Sequence, residues 1–319
     1  MRLSTSMIYQ RNLDAISESY SKWENTGQQL ATGKRVNVPS DDPIAASQAI
    51  KLGQSQALNS QYSAARTSAT NSLSAETTVL EQVTDVIQSA QTLLVQAGDG
   101  TLSDQDRQSL ATQLQSYKDQ LLNLANSQDG NGNYLFAGYK TNSAPFVEAE
   151  DGSVSYSGGG QAMTQQVDAS RSMTVGDTGS AVFMSLTAGY TTEPDGGDSE
   201  SNIFNTLDIA LKALTTPQQD ADSTVTDDYT AAIGKASRGL SNSLDNVLAV
   251  QSSVGSKLNE LDNLDSLGTS RSTLISDNIS ALVDVDWYQA ISDYSQQQVA
   301  LQAAYSTFTA MQSMSLFSQ

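Results

Sequence analysis

The chain has 319 residues, with 35 acidic against 16 basic side chains, a formal charge of −19, and neither histidine nor cysteine. That charge repels phosphate backbones and anionic surfaces, so no nucleic-acid partner and no membrane insertion are expected. Without imidazole or thiol, Ser-His and Cys-His nucleophiles and the usual zinc sites cannot be built, and the expectation is a non-enzyme without cofactors.

Aromatics are 6% and charged residues 16% of the chain, below the roughly 25% charged of an average domain. The polarity therefore comes from Ser, Thr, Asn and Gln, a composition suited to long helices with weakly charged faces. The opening MRLSTSMIYQRNLD has no apolar core or small-residue cleavage site and does not read as a secretory signal.

Tyr9, Leu13, Ile16, Tyr20, Trp23, Gly27 and Leu30 recur at gaps of 4 and 3, a heptad seam on a first helix. Asp42 before Pro43 reads as a helix start, N-cap followed by first helical residue. The helix it opens runs free of breakers to Gly98, on the order of 80 Å at ~1.5 Å per residue. Ser103-Asp104-Gln105-Asp106 predicts a capping-box restart, followed by Leu110, Leu114, Tyr117, Leu121 and Leu124 at seam spacing.

Residues 129–146 carry Asp-Gly and Asn-Gly turn signals beside a Tyr-Leu-Phe run and predict a hairpin. Val154–Tyr156 and Val182–Leu186 read as strand pieces between glycine clusters. After Pro217 a third long seam runs Leu240, Leu244, Val247, Gln251, Val254, Leu258 and Leu261. Its rhythm breaks at Val283-Asp284-Val285-Asp286, read as a joint. A last seam then follows at Trp287, Ile291, Tyr294, Gln298, Leu301, Tyr305 and Phe308. Residues 1–35 hold five bases against three acids, whereas no Lys or Arg follows Arg271, so opposite charge also favours pairing of the two chain ends.

The fold class read from this order is mainly α: an elongated antiparallel helical bundle, paired N- and C-terminal coiled-coil helices, and a small inserted β-rich domain. Residues 1–42 with 273–319 would form the terminal coiled-coil domain, 43–145 with 200–272 the bundle, and 146–199 the outer insert.

Three acidic features invite a chemical reading. Asp129-Gly130-Asn131-Gly132-Asn133 begins like a calcium loop, but Tyr134 and Lys140 stand where glycine and glutamate are required, so a turn is expected. Asp195–Glu200 reads as a solvated linker, and Asp284 with Asp286 as a helix joint. No phosphate loop, dinucleotide fingerprint or nucleophile elbow occurs. The terminal seams differ from ordinary core because each is one narrow stripe on an end helix. A lone helix pair buries little apolar area, so these ends are read as assembly elements.

Gly33, Asn37, Asp41 and Asp42 within ATGKRVNVPSDDPIAASQAI, the stretch NLANSQDGNGNYLFAGYKTNSAPF and the end LQAAYSTFTAMQSMSLFSQ resemble the bacterial flagellin family, in its hook-associated branch. The resemblance implies an axial structural protein at the hook–filament junction, required for filament assembly and motility. A minor filament flagellin or an extracellular coiled-coil adhesin are the alternatives. It further implies export through the flagellar type III channel. Its implied partners are the first hook-associated protein, flagellin, copies of itself in a ring layer, and an export chaperone.

The inner-tube interface would then comprise Leu13, Ile16, Tyr20, Trp23, Leu30, Trp287, Ile291, Tyr294, Leu301, Tyr305 and Phe308. Gly33, Asn37, Asp41, Asp42 and Pro43 would fix the turn between tube and bundle. The chaperone would take the stripe Ile291, Tyr294, Leu301, Tyr305 and Phe308.

Overall fold

The computed structural model describes residues 5–219 and 221–316. Along these, the order is α1 (Thr5–Thr32), α2 (Pro43–Ala97), α3 (Asp104–Ala125), β1 (Phe146–Glu148), β2 (Val154–Tyr156), β3 (Thr164–Asp168), β4 (Arg171–Thr174), α4 (Gly179–Phe183), α5 (Ile203–Thr215), α6 (Ser223–Val283) and α7 (Trp287–Leu316). The chain is thus mainly helical with a small β-rich insertion. Its strands form two separate antiparallel pairs, β1 with β2 and β3 with β4.

The helix starts follow the capping chemistry of the sequence. Ser103 Oγ accepts from the Asp106 amide, and the Asp106 carboxylate accepts in return from the Ser103 amide, both at 3.2 Å, the reciprocal box that opens α3. Asp42 Oδ1 accepts from the Ala45 amide at 3.0 Å at the head of α2, with Pro43 as first helical residue. Asp286 Oδ1 accepts from the Tyr288 amide at 3.0 Å at the head of α7.

Two compact units result. One comprises the residues up to Ser60 and from Thr269 onward, and the other runs from Gln61 to Gly268. The unit boundaries fall inside α2 and inside α6.

The 61–268 unit holds the packed core. Leu80, Val83, Ile87 and Leu94 of α2 join Leu110, Leu114 and Leu121 of α3, Phe204 and Leu207 of α5, and Leu240 and Val247 of α6. Four phenylalanines knit the insert into this core. Phe183 meets Phe136 and Phe146 edge-on with ring centroids 5.3 and 5.4 Å away, and Phe146 lies 5.4 Å from Phe204. Such pairs contribute about 0.5–1.5 kcal/mol each beyond the area they bury.

Buried cations make further ties within this unit. Lys118 of α3 donates to the Gly152 carbonyl at 2.7 Å and pairs with Asp208 of α5. Arg66 of α2 donates to the Val167 carbonyl of β3 and to Asp265 of α6, both at 3.1 Å.

Two local expectations change in the structure. Val182–Leu186 is not a strand, because Val182 and Phe183 close the short helix α4. The Asn246 amide donates to the Ala181 and Val182 carbonyls at 2.9 Å, and Phe183 enters the phenylalanine cluster, so packing overrides β-propensity. The hairpin expected over 129–146 contracts to a single bridge between Gln128 and Tyr134. The Asp129 carboxylate closes that turn by accepting from the Asn131 and Asn133 amides at 2.8 and 2.9 Å, which occupies the group a calcium loop would use. Beyond it, the Ala137 carbonyl takes its hydrogen bond from the Gly159 amide at 2.8 Å rather than from a hairpin strand.

Candidate assembly surface

In the unit of the chain ends, α1 and α7 run antiparallel. The rings of Tyr9 and Phe308 lie 5.2 Å apart, and Trp23 stacks on Tyr294 at 5.5 Å. Tyr9 to Trp23 and Tyr294 to Phe308 are both fourteen residues, two heptads on each helix, so one register holds along the pair. At Gly27 an added Cβ would stand 3.3 Å from the Tyr294 ring, a close approach that favours glycine there.

Burial shows which edge of each stripe the partner covers. The covered positions include, on α1, Asn12, Ile16, Ser19, Trp23, Thr26 and Leu30, with Gly27 and Gln29 beside them, and, on α7, Ala290, Tyr294, Gln297, Leu301, Ala304 and Phe308, with Asp293 beside them. Both series keep gaps of 4 and 3. Of the residues singled out by sequence, Ile16, Trp23, Leu30, Tyr294, Leu301 and Phe308, one per heptad, therefore face the seam. The other heptad positions turn outward: Leu13 is 42% exposed, Tyr20 46%, Ile291 54% and Tyr305 49%. Small or polar neighbours one residue earlier take their places in the contact. Hydropathy could not reveal those neighbours, since Asn12, Ser19, Thr26 and Gln297 carry no apolar signal.

Inside the seam the Trp23 indole N–H and the Gln297 amide oxygen are buried without hydrogen-bond partners. An unmet buried polar group costs about 1–3 kcal/mol, so the pair is a weakly self-sufficient contact. Lys22 and Glu18 of α1 form an internal ion pair at 2.6 Å, which holds the Glu18 carboxyl below its ordinary range. Aromatic packing joins the two helices here, Tyr9 on Phe308 and Trp23 on Tyr294.

The turn residues come together as a single laced joint. Gly33 ends α1 with φ +71°, and its carbonyl accepts from the Val285 amide at 3.0 Å. The Val283 carbonyl accepts from the Arg35 amide at 2.7 Å, and the Arg35 guanidinium reaches the Leu282 carbonyl at 2.7 Å and Asp42 at 3.2 Å. Asp41 Oδ2 accepts from the Asn37 and Val38 amides, both at 3.0 Å, and the Asn37 side chain donates to the Lys34 carbonyl at 3.3 Å. The Ala45 amide and then Arg35 hold the Asp42 carboxyl below the usual carboxylate range. Trp287 packs on Gly33 and is otherwise 52% exposed. Arg35, the residue that ties both strands of this joint, was not among those picked out by sequence.

Uncovered apolar surface is concentrated in this unit. Among the described residues, fourteen of the twenty large apolar side chains that are more than two-fifths exposed belong to it, including Ile44, Leu274, Tyr288 and Val299. Both packed core clusters lie in the other unit. No helix among the described residues is long and apolar enough to cross a membrane, and no group of three or more acidic side chains gathers there as a metal-ligand set.

Comparison with known proteins supplies the family. Residues 3–141 match the bacterial flagellin N-terminal helical region. Flagellar hook-associated protein 3 of Salmonella typhimurium (strain LT2) is 55% identical over 317 residues, 99% of each chain. The chain belongs to the flagellar hook-associated protein 3 family. Two solved structures share the fold of this family member. Flagellar hook-associated protein 3 from Legionella pneumophila has TM-score 0.65 at 19% identity, over 73% of this chain and 98% of that one. The flagellar junction protein from the same organism has TM-score 0.60 at 19% identity, over 74% of this chain and all of that one. In this hook-associated family member, the flagellin-type match takes in α1, the N-terminal side of the laced joint, α2 and α3, and so includes Gly33, Asn37, Asp41, Asp42 and Pro43.

Proposed function

We propose that the chain is a structural axial protein of the bacterial flagellum, the adaptor between the first hook-associated protein and the flagellin filament. The observation that carries this reading is the split heptad of α1 and α7. Each helix spends its small or polar flank on its partner and keeps Leu13, Tyr20, Ile291 and Tyr305 in solvent. A side chain of that size left exposed at seam spacing serves a surface that further copies complete. Family membership supports a setting for that surface, which in this reading is a tube of axial subunits outside the cell at the hook–filament junction. There Leu13, Ile16, Tyr20, Trp23 and Leu30 with Trp287, Ile291, Tyr294, Leu301, Tyr305 and Phe308 form the inner-tube contacts, and the laced joint fixes the exit of α2.

The same stripe, in this reading, docks an export chaperone before secretion by the flagellar type III route. Tyr294, Leu301 and Phe308 are partly covered by α1, whereas Ile291 and Tyr305 are open. Chaperone capture of all five therefore competes with the α1 seam and keeps the ends from pairing early.

The test is electron microscopy of source cells lacking the gene, with flagellin assayed in the medium. Intact hooks without filaments, together with unpolymerised flagellin outside the cells, are expected. Normal filaments would overturn the reading in favour of a redundant minor flagellin.

A further inference from the structure

Away from the chain ends, the 61–268 unit contains a buried carboxyl that its hydrogen bonds do not satisfy. Glu76 of α2 is 2% exposed, and its Oε2 has no partner while Oε1 accepts from the Asp177 amide at 3.2 Å. It lines a cavity of about 290 Å³ together with Ser72, Asp129, Tyr134, Gly176 and Asp177. The strap Val175–Asp177, which links β4 to α4, passes over it. A Cβ added at Gly176 would stand 3.9 Å from Glu76 Oε2.

The groups that face Glu76 are few. From the strap comes Asp177, and from α6 comes Lys257, whose ammonium lies 3.1 Å from the Asp177 carboxylate. From the turn after α3 come Asp129, its carboxylate occupied by the Asn131 and Asn133 amides, and the Tyr134 phenol. With Glu76 protonated the cluster holds the Asp177 and Asp129 anions against one Lys257 cation. With Glu76 ionised it holds three anions against that cation, around a carboxyl that is 2% exposed.

We propose that Glu76 is a proton-operated latch, whose protonated form holds the 175–177 strap on α2 and whose ionised form releases it. Burial, and then the Asp177 charge, push the Glu76 carboxyl up to about 7, with Lys257 and the Asp177 amide opposing the shift. The latch thus turns over between the ordinary carboxyl range and about pH 7. Release frees the end of the β3–β4 hairpin while the phenylalanine cluster continues to hold α4.

Amide hydrogen exchange of the full chain, read by mass spectrometry from about pH 5 to about pH 9 and corrected for intrinsic exchange, tests this. Protection of the 175–177 amides is expected to fall in the wild type through a midpoint below pH 7 and to level off above about 7. In Glu76→Gln the same amides should stay protected throughout. Asp177→Asn removes the like charge and should move the midpoint down, and Lys257→Met removes the opposing cation and should move it up. Those two shifts report on the latch even if Glu76→Gln folds poorly. A flat wild-type profile, a profile shared with Glu76→Gln, or a midpoint unmoved by the two flanking variants would overturn the proposal.

Discussion

The Trp287 indole lies against Gly33, where a Cβ would stand 3.5 Å from the ring and where φ is +71°. The last turn of α1 and the first of α7 therefore meet at a residue that only glycine fills without strain. The joint is closed on both sides of that meeting by the Val285 amide on the Gly33 carbonyl and the Arg35 amide on the Val283 carbonyl.

Gly33→Ala should cost about 1–2 kcal/mol, the penalty of placing a Cβ in left-handed backbone. The space beside Trp287 is of ordinary van der Waals width, so conformation supplies most of the cost. Both tryptophans, Trp23 and Trp287, belong to the unit of the chain ends, so indole fluorescence follows that unit alone. The fluorescence-detected urea midpoint should fall in the variant, while the phenylalanine and tyrosine near-UV signal of the 61–268 core stays put. Equal shifts in both signals would mean that the joint is not a local device.

Acid should open the same joint. Asp42 is held below the usual carboxylate range by the Ala45 amide and by Arg35, so its folded-state pKa lies beneath the unfolded one. Its contribution is then present above the unfolded value and is lost as pH falls through the lower folded value. Trp287 emission, measured in a Trp23→Phe background, should change over that acid window. Asp42→Asn should remove the Asp42 part of the dependence, and an unchanged acid profile in that variant would remove Asp42 from the account.

How far the sequence could be read follows from which signals are local. Asp42-Pro43, the Ser103–Asp106 box and the broken rhythm at 283–286 are backbone chemistry written in adjacent residues, and the structure places helix ends at each. Helix α5 has no counterpart among the seams read from sequence, although Asn202 caps it and Ile203, Phe204, Leu207, Ala210 and Leu214 repeat at helical spacing; its thirteen residues are too few to form a long seam. Leu13 and Tyr20 lie on the heptad stripe of α1, but the stripe is wider than the contact. Which edge faces the partner depends on how closely α1 and α7 approach at Gly27, a tertiary distance that no spacing encodes.

Phe183→Ala should destabilise the 61–268 unit by about 3–5 kcal/mol, the usual cost of emptying a fully packed phenylalanine site. Phe183 is 2% exposed and makes edge contacts with both Phe136 and Phe146, so neighbours have little room to collapse into the void. Chemical denaturation followed by near-UV dichroism checks this, with Trp fluorescence unmoved as the internal control. A loss under about 1 kcal/mol would show the insert to be peripheral to the core.

Two double variants separate the covered edge of α7 from the open one. Leu301→Ala with Phe308→Ala removes side chains that α1 covers, including the ring against Tyr9, and should loosen the end unit as well as abolish incorporation into flagella. Ile291→Ser with Tyr305→Ser alters only residues that are about half exposed. The isolated protein should therefore keep its Trp23–Tyr294 stacking and its fluorescence midpoint, since neither residue lies in the covered series. Incorporation should nevertheless fail, because those side chains are held for neighbouring copies. Complementation of a deletion strain, scored by swimming and by flagellin shed into the medium, reads the outcome. Motile cells carrying the Ile291 and Tyr305 changes would leave the open edge without a role and confine assembly to the α1-facing seam.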